Sequence, residues 1–499
     1  MESMSALAGG FSAAFGIYNL LFCLLGCLLG TLIGVLPGIG PLATIAMLLP
    51  ITFAMDPLTS LIMLAGIYYG AQYGGSTTAI LLNLPGETSS VVTCLDGYEM
   101  AKRGRAGAAL AIAALSSFFA GCVATLFIAL LAPSLAAFSM QVRSPEYVVL
   151  IALGLVASVV LSRGSPLKAV AMALLGLLLG TLGTDVTSGE TRFVENILPL
   201  YDGLSFVALA LGLFGLAELL SNLEHPEARG TLVGRITRLW PSLDDFRQAW
   251  KAVLRGTGLG SVMGLLPGSG AAVASFTSYV VEKRFAHDPS RFGYGAVEGV
   301  AGPEAANNAA AQTSFIPLLM LGIPGTATMA LMMGALMMQG IAPGSAIVTT
   351  NPTLFWGLIA SMWIGNLMLL VINLPMIGLW VKMLSVPYRI LFPSILLFSC
   401  IGVYSLNSSS FDVWMLAVFA AAGYALRKLD CDAAPLLIAF ILGPLLEEHL
   451  RRALVISRGS PMIFIERPIA LGLIICVVAL IGLIILPSFR AKREEAFHE

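Results

Sequence analysis

Long apolar runs with almost no charge recur from one end of the chain to the other. Three of them cover residues 11–32, 108–131 and 470–487. A helix needs about 20 apolar residues to cross the hydrocarbon core of a membrane. The runs are continuous rather than alternating, which favours helices over the strands of a barrel. The pattern therefore predicts an all-α polytopic membrane protein with about 12 spans.

Most of the apolar runs are predicted to form scaffold helices. The first run has no basic segment before it, so we interpret it as a retained helix and not as a cleaved signal. The scaffold helices are predicted at 108–131, 146–161, 167–183, 203–221, 353–373, 392–408, 411–426, 433–446 and 468–487.

The apolar pattern is interrupted by similar Pro-Gly motifs in each half of the chain. The sequence G-V-L-P-G-I-G at 34–40 recurs as G-L-L-P-G-S-G at 264–270, 230 residues later. The sequence N-L-P-G at 83–86 is matched by G-I-P-G at 322–325, 239 residues later. Each half is therefore predicted to contain two broken helices, with a short helix and a stretch of small polar residues between the breaks.

Basic residues occur in opposite loops of the two halves. In the first half the loop at 55–60 has no Lys or Arg, whereas 102–105 is basic. In the second half 283–291 is basic, whereas 339–352 has no Lys or Arg. Short basic loops lie in the cytoplasm. The charges therefore predict two inverted-topology repeats, with Lys102 and Lys283 on the cytoplasmic face.

Four segments follow from the repeats and the charges. Basic residues in the linker between the halves and in the tail predict that both are cytoplasmic. The segments are a first membrane half with repeat 1 at 1–221, a linker with an interfacial helix at 222–255, repeat 2 at 256–390, and C-terminal scaffold helices with a cytoplasmic tail at 391–499.

Composition excludes several classes of protein. Of 499 residues, 58% are hydrophobic and 11% are charged, against about 25% charged residues in a soluble domain. The net charge of −1 gives no basic surface for nucleic acid. Most of the seven Cys lie in apolar runs and the four His are scattered, so we expect no metal centre and no cofactor. An intramembrane enzyme would need a nucleophile with a base, or a metal set, and neither is apparent.

The Pro-Gly breaks predict binding-site hairpins. Proline removes a helix hydrogen bond, and glycine permits conformations that other residues avoid. Non-helical backbone at membrane depth is tolerated only inside protein or beside a polar cavity. One isolated break is typical of a kinked helix. Four breaks in corresponding places of two inverted halves are typical of a transporter site, built from broken helices or re-entrant hairpins.

Small polar residues beside the second breaks are the candidate binding groups. Ser, Thr, Asn and Gln can donate to a carboxylate or coordinate Na⁺, although they can equally pack closely spaced helices. No Lys or Arg lies inside the repeat elements, so an anionic substrate would be held by helix N-termini and freed amides. The candidates are Gly38, Gly40, Gln72, Ser76, Thr77, Thr78, Asn83, Pro85, Gly86, Gly268, Ser269, Gly270, Asn307, Asn308, Gln312, Thr313, Ser314, Pro324 and Gly325.

Three acidic residues near the breaks are candidate proton carriers. They are Glu87, Glu298 and Glu304, each of which could instead lie at a loop or helix end. We also expect Asn83, Asn307 and Asn308 to lie close to one shared cavity near the middle of the bilayer.

Seven short motifs are distributed over nearly the whole chain. The motifs are G-V-L-P-G-I-G at 34–40, Y-Y-G-A-Q-Y-G-G-S at 68–76, I-L-L-N-L-P-G-E at 80–87, G-Y-E-M-A-K-R-G-R-A-G at 97–107, G-L-L-P-G-S-G-A at 264–271, P-E-A-A-N-N-A-A at 303–310 and L-G-I-P-G at 321–325. Together they resemble the large membrane subunit (TctA type) of the tripartite tricarboxylate transporter family.

The resemblance implies a function that composition does not reveal. Such subunits work with a small membrane subunit of about four helices and a periplasmic solute-binding protein that delivers citrate or another small tricarboxylate or dicarboxylate. Uptake is coupled to Na⁺ or H⁺, in a bacterial inner membrane. No G-x-x-x-x-G-K-[ST] phosphate loop occurs in the sequence, in agreement with transport without ATP. A gradient-independent channel is the alternative, because re-entrant hairpins also build selectivity filters.

Overall fold

The structure is a computed structural model that describes most of the chain. The described ranges are 2–36, 40–139, 141–162, 165–185, 188–194, 197–224, 239–266, 270–344, 346–383 and 388–485. The predicted site residues Gly38, Gly268 and Ser269 lie outside these ranges, as do part of the predicted linker and the predicted tail.

The described part of the first half is helical apart from connecting loops and one short antiparallel hairpin. Its strands are β1 (Gly183–Thr184) and β2 (Thr191–Arg192). Short π-helical segments at Cys94–Tyr98, Ala101–Arg105 and Leu211–Leu216 join neighbouring helices. The helices are α1 (Glu2–Ala14), α2 (Ile17–Val35), α3 (Pro41–Phe53), α4 (Pro57–Leu82), α5 (Val91–Thr93), α6 (Ala106–Ser139), α7 (Ser144–Leu161), α8 (Pro166–Gly180), α9 (Phe206–Ala210) and α10 (Ala217–Glu224).

The described part of the second half is helical too. Its helices are α11 (Leu243–Leu265), α12 (Gly270–Phe285), α13 (Glu298–Thr313), α14 (Phe315–Leu321), α15 (Ala327–Met338), α16 (Ile347–Thr350), α17 (Pro352–Asn373), α18 (Ile377–Met383), α19 (Tyr388–Asn407), α20 (Ser410–Lys428), α21 (Ala434–Ile456), α22 (Ile463–Glu466) and α23 (Pro468–Ile485).

The apolar runs locate the scaffold helices well, and the main differences occur where a helix continues into polar sequence. Helix α21 extends to Ile456 rather than to 446. Its last turns are charged and hold i,i+4 ion pairs between Glu447 and Arg451 and between Glu448 and Arg452, which support a helix without hydrophobicity. Helix α11 likewise runs through the predicted segment boundary at 256.

Three helices of the described chain are long and apolar enough to cross a membrane by length and composition. They are α2, α6 and α17. Seven shorter apolar helices accompany them. This is the composition of an all-α membrane protein, as the sequence predicts.

The second breaks of the two halves have the same backbone geometry. Asn83 ends α4 in the left-handed conformation (φ 57°, ψ 29°), and Gly322 ends α14 in the same way (φ 65°, ψ 31°). After each break the chain is extended at the next N-cap, which is Glu87 in the first half (φ −150°, ψ 170°) and Thr326 in the second (φ −142°, ψ 164°). Gly and Asn are the residues that adopt left-handed backbone at least cost, so both sequences suit the same turn.

A matching row of glycines packs each broken helix against its partner, α2 against α4 and α11 against α13. A Cβ atom at any of these glycines would lie 2.2–2.4 Å from a backbone carbonyl oxygen, so only glycine permits this approach. Corresponding glycines of the two rows are 230 residues apart in the sequence, and the residues that supply the corresponding carbonyls are 239 residues apart. These are the offsets of the two sequence motifs. The pairs are Gly26 with Met63, Gly30 with Ile67, Gly34 with Ala71, Gly256 with Gly302, Gly260 with Ala306 and Gly264 with Ala310.

Helix α4 of the first half crosses α13 and α14 of the second half in an antiparallel direction. Ser76 Oγ lies 2.8 Å from each carboxylate oxygen of Glu304. Tyr69 precedes Ser76 on α4, and its ring lies 6.0 Å from the ring of Phe315, which follows Glu304 in the second half. Tyr69 and Phe315 are among the largest fully buried side chains. The crossing therefore lies in the core, between the two halves.

Candidate functional site

Helix α13 carries a row of polar side chains through the core of the protein. Its segment is rich in Ala and Gly, whose small side chains let neighbouring helices approach closely. The polar members are each no more than 2% exposed, so they face protein rather than lipid or water. Buried polar groups must find hydrogen-bond partners or pay for their desolvation. The row consists of Glu304, Asn307, Asn308, Gln312 and Thr313.

The Glu304 carboxylate is surrounded by hydroxyl groups of the first half. Ser76 of α4 lies 2.8 Å from both carboxylate oxygens. Thr93 donates to Oε1 at 2.5 Å, and Ser117 of α6 donates to Oε2 at 3.3 Å. All four residues are buried. In the described part of the chain no Lys, Arg or His pairs with Glu304, so its charge is met by neutral donors alone.

Asn308 holds one of these hydroxyl groups in place. Its Nδ2 donates to Ser117 Oγ at 2.7 Å and to the backbone carbonyl of Glu304 at 3.1 Å. The second bond ties the amide to its own helix. Asn308 therefore orients Ser117 toward Glu304 and does not itself reach the carboxylate.

A second polar group lies at the break that follows α4. Ser89 Oγ is 2.5 Å from Glu87 Oε1 and 2.9 Å from Gln72 Oε1. A hydroxyl has one proton, so Ser89 donates to the carboxylate and can accept from the amide of Gln72 when that amide turns its NH₂ group toward it. Glu87 also lies near enough to Glu304 for the two carboxylates to interact electrostatically.

Asn307 of α13 is a buried amide that completes no hydrogen bond. Its side chain approaches Glu87, but neither its Oδ1 nor its Nδ2 has a partner, and the residue is fully buried. The Oε1 atom of Gln312 and the hydroxyl of Tyr73 also lack partners. Unpaired buried polar atoms are rare in folded proteins and call for a ligand or water. Both α4, through Tyr73, and α13, through Asn307 and Gln312, therefore carry buried polar atoms that are available to a polar molecule.

A narrow crevice leads to the Glu304 group. Among its lining residues are Tyr73, Ser76, Ser117, Glu304 and Asn373. The opposite wall is apolar and formed by α6 and by the region that joins α17 to α18. The polar end of the crevice is thus made from both halves of the chain.

The remaining predicted hydroxyl residues serve the helices themselves. Thr77, Thr313 and Ser314 donate to carbonyls in the preceding turn. Thr78 also donates to the Val35 carbonyl at 3.0 Å and so joins α4 to the end of α2. These contacts fit the structural interpretation that the sequence left open for each hydroxyl.

The residues at the breaks occupy different environments. Asn83 and Pro85 are exposed, whereas Gly86 is buried where a Cβ atom would lie 2.2 Å from the Gly34 carbonyl. Pro324 and Gly325 are buried. The exposed position of Asn83 contrasts with the buried Asn307 and Asn308, and the prediction that all three share one cavity stays a prediction.

The structure also locates two predicted helix N-termini, at Gly40 and Gly270, and the predicted proton carrier Glu298. Gly40 is the N-cap of α3 and lies near the Glu218 carboxylate, while Gly270 begins α12 with φ 56°. Glu298 begins α13 and lies 3.5 Å from Arg291 in an ion pair. Glu298 is therefore neutralised at a helix end, away from the uncharged surroundings of Glu304.

Sequence reasoning missed three of the buried hydroxyl residues. Thr93 and Ser89 lie in the T-S-S-V-V-T segment after the second break, and Ser117 belongs to a Ser pair inside the apolar run of α6. A pair of hydroxyls in an apolar run is a signal, but nothing in the sequence connects it to Glu304, 187 residues away.

Comparison with known proteins adds two kinds of information. The model of the tripartite tricarboxylate transporter TctA family matches residues 20–438. An uncharacterized 52.8 kDa protein in the TAR-I ttuC' 3' region of Agrobacterium vitis is 57% identical over 499 residues, which is 100% of this chain and 99% of that protein. A protein in the TAR-II ttuC' 3' region of the same organism is 58% identical over 240 residues, covering 48% of this chain and 99% of that protein. No solved structure matches.

Proposed function

The chain belongs to the tripartite tricarboxylate transporter TctA family, and on that premise we propose that it is the carrier subunit for cation-coupled uptake of small organic carboxylates. The family is that of a membrane component of tripartite transporters and not of enzymes. The proposal adds the substrate class, the coupling to Na⁺ or H⁺ and the dependence on partners. The partners are a periplasmic solute-binding protein and a small membrane subunit of about four helices.

The observation that carries the proposal is the polar group between α4 and α13. It contains the buried carboxylate of Glu304, the half-buried carboxylate of Glu87 and the amide of Asn307, which completes no hydrogen bond. It lies where helices from the two halves cross. Ionisable residues inside membrane proteins are costly and mark substrate or ion pathways. A site between two halves can be opened to either side when one half moves against the other, which is alternating access.

Inverted repeats supply the second support. The glycine rows and the left-handed helix ends recur with the offsets of the sequence motifs. Helices α4 and α13 correspond to one another under these offsets and run antiparallel, as an axis in the membrane plane requires. With the basic loops in the cytoplasm, the proposal includes an inner-membrane location and a cytoplasmic C-terminus.

Recognition of the carboxylate is assigned to amides rather than to basic side chains. Asn307 Nδ2 is a buried donor that completes no hydrogen bond, and a Pro-Gly break frees backbone N–H groups that can act in the same way. Such donors can hold a carboxylate in a low-dielectric site, where each hydrogen bond counts for more than it does in water.

The test is uptake into proteoliposomes that contain the chain and its small partner. A purified binding protein loaded with radiolabelled citrate or a dicarboxylate is added, with and without an inward Na⁺ or H⁺ gradient. Uptake that needs both the binding protein and a gradient supports the coupled carrier. Passive flux that needs neither the binding protein nor a gradient would establish the channel instead.

A further inference from the structure

The packing of α4, α6 and α13 brings six oxygen atoms together around one buried carboxylate. Two belong to Glu304 itself, and three are the hydroxyl oxygens of Ser76, Thr93 and Ser117. The sixth is the backbone carbonyl of Gln72, 3.0 Å from Ser76 Oγ. All six atoms belong to residues no more than 3% exposed, and no nitrogen or sulfur atom belongs to the set.

A carboxylate in this environment needs a positive counter-charge. Taking an ionised carboxylate out of water costs several kcal/mol even after relaxation, and hydroxyl donors recover only part of that cost. Ser76 has a single proton, yet it is equally distant from both oxygens of Glu304. One hydroxyl cannot donate to both at once, so Glu304 has at most three neutral donors, with Thr93 on Oε1 at 2.5 Å and Ser117 on Oε2 at 3.3 Å, and no cationic side chain of the described chain joins them.

The chemistry of the oxygen set selects the cation. Zn²⁺ takes nitrogen and sulfur ligands in most protein sites, and none are present in this set. In the described part of the chain no group of three or more His, Cys, Asp and Glu could hold a metal ion. A divalent cation would leave a net positive charge beside a single carboxylate, whereas a monovalent hard cation neutralises it. Hydroxyl, carbonyl and carboxylate oxygens are the ligands that hard cations prefer.

We propose that Glu304, Ser76, Thr93 and Ser117 form a binding site for one Na⁺ ion. On binding, the three hydroxyls turn their protons away from the carboxylate and offer lone pairs to the ion. Asn308 acts as a positioning residue, because its bond to Ser117 Oγ at 2.7 Å fixes that oxygen. The site lies between the two halves, since Glu304 belongs to the second and the hydroxyls to the first.

The proposal deepens the proposed function and rests on it for its role in coupling. Asn307, one helix turn from Glu304, approaches Glu87 and has an unpaired amide. Without a cation, the charge of Glu304 repels an anionic substrate that approaches this amide. Na⁺ at Glu304 removes the repulsion, so the ion must bind before the carboxylate. Sodium binding itself needs no substrate and no partner.

The experiment measures binding of radioactive sodium to the full chain purified in detergent, by scintillation proximity, with choline replacing Na⁺ in the blank. The wild-type chain should bind Na⁺ saturably. Glu304→Gln, which keeps the shape of the side chain but removes the charge, should weaken binding by about tenfold or more. Glu304→Asp, Thr93→Ala and Ser117→Ala should each weaken it less. Glu448→Gln, an exposed residue of an i,i+4 pair, should bind as wild type.

Three outcomes would overturn the proposal. Unchanged Na⁺ affinity in folded Glu304→Gln would mean that the ion binds elsewhere. No saturable Na⁺ binding by the wild-type chain would remove the site. A pH-dependent change in thermal stability that disappears in Glu304→Gln, without any Na⁺ effect, would assign Glu304 to a proton. Gel filtration establishes that each variant is folded, and Glu304→Asp covers the case in which the Gln variant is not. Since no substrate is present, failure here leaves the carboxylate carrier untouched.

Discussion

The Asp96 carboxylate accepts a hydrogen bond of 2.7 Å from the backbone N–H of Gly295, which joins the first half of the chain to the second. Gly293 and Ala296 donate to the same oxygen at 2.9 and 2.8 Å, and the Tyr279 hydroxyl donates to the other at 3.0 Å. Gly293 and Gly295 have φ values of 85° and 91°, which turn successive N–H groups toward one anion. Asp96 therefore fastens the two halves together on the side where the basic loops lie.

We expect Asp96→Asn to lower the free energy of unfolding of the purified chain by about 2–3 kcal/mol, because it removes the charge from four hydrogen bonds. Denaturant or thermal unfolding in detergent measures the change. The matched control is Asp288→Asn in the loop that supplies the backbone donors to Asp96. Its carboxylate accepts hydrogen bonds from Ser290 at the surface, so the substitution should change stability by less than about 0.5 kcal/mol. Equal effects of the two substitutions would contradict the role of Asp96.

The glycine rows predict a second pattern of stability. Gly30→Ala and Gly260→Ala each put a Cβ atom 2.2–2.3 Å from a backbone carbonyl oxygen, so each should destabilise the chain by at least about 1–3 kcal/mol. Gly258→Ala lies in the same helix as Gly260 with nothing within 4 Å, and it should be neutral or slightly stabilising because alanine favours helix. Unfolding in detergent separates the three. A strong effect in one half and none in the other would show that the two rows are not equivalent.

The sequence predicts the helices and their punctuation because both signals are local. Apolar runs and Pro-Gly breaks are visible within a few residues, and the two motif offsets follow from matching these short motifs between the halves. The structure has the matching helix ends at Asn83 and Gly322. The partners of Glu304 are a different matter. Ser76, Thr93 and Ser117 are separated from it by 228, 211 and 187 residues. Contacts over such distances depend on how helices pack, which no local pattern encodes.

Inverted topology makes a prediction about accessibility. Lys102 and Lys283 are exposed in the basic stretch of each half, and these two stretches do not correspond under the repeat. Single Cys substitutions there should react with a membrane-impermeant maleimide only from the cytoplasmic side. Cys at Asp56, just before α4, or at Thr349 of the short helix α16 should react only from outside, because both are exposed in stretches without basic residues. The seven native Cys are replaced first, so that each signal comes from one position. Labelling of position 102 or 283 in intact cells would overturn the inverted arrangement.

Asn307 separates a binding role from a structural one. Neither of its amide atoms completes a hydrogen bond although the residue is fully buried and approaches Glu87, so Asn307→Ala removes at most one weak contact and should leave stability within about 1 kcal/mol of wild type. If the amide holds the carboxylate, the variant should raise the KM for uptake by about tenfold or more, since a substrate group is left unpaired.

Asn366 of α17 is the matched control for this prediction, because it is equally buried and its amide atoms also lack partners. It packs beside Gly121 rather than between α4 and α13, so Asn366→Ala should leave the KM unchanged. Uptake into proteoliposomes and unfolding in detergent are measured on both variants. A loss of stability in Asn307→Ala with an unaltered KM would make Asn307 a packing residue, and the substrate would then have to be held by the backbone of the breaks alone.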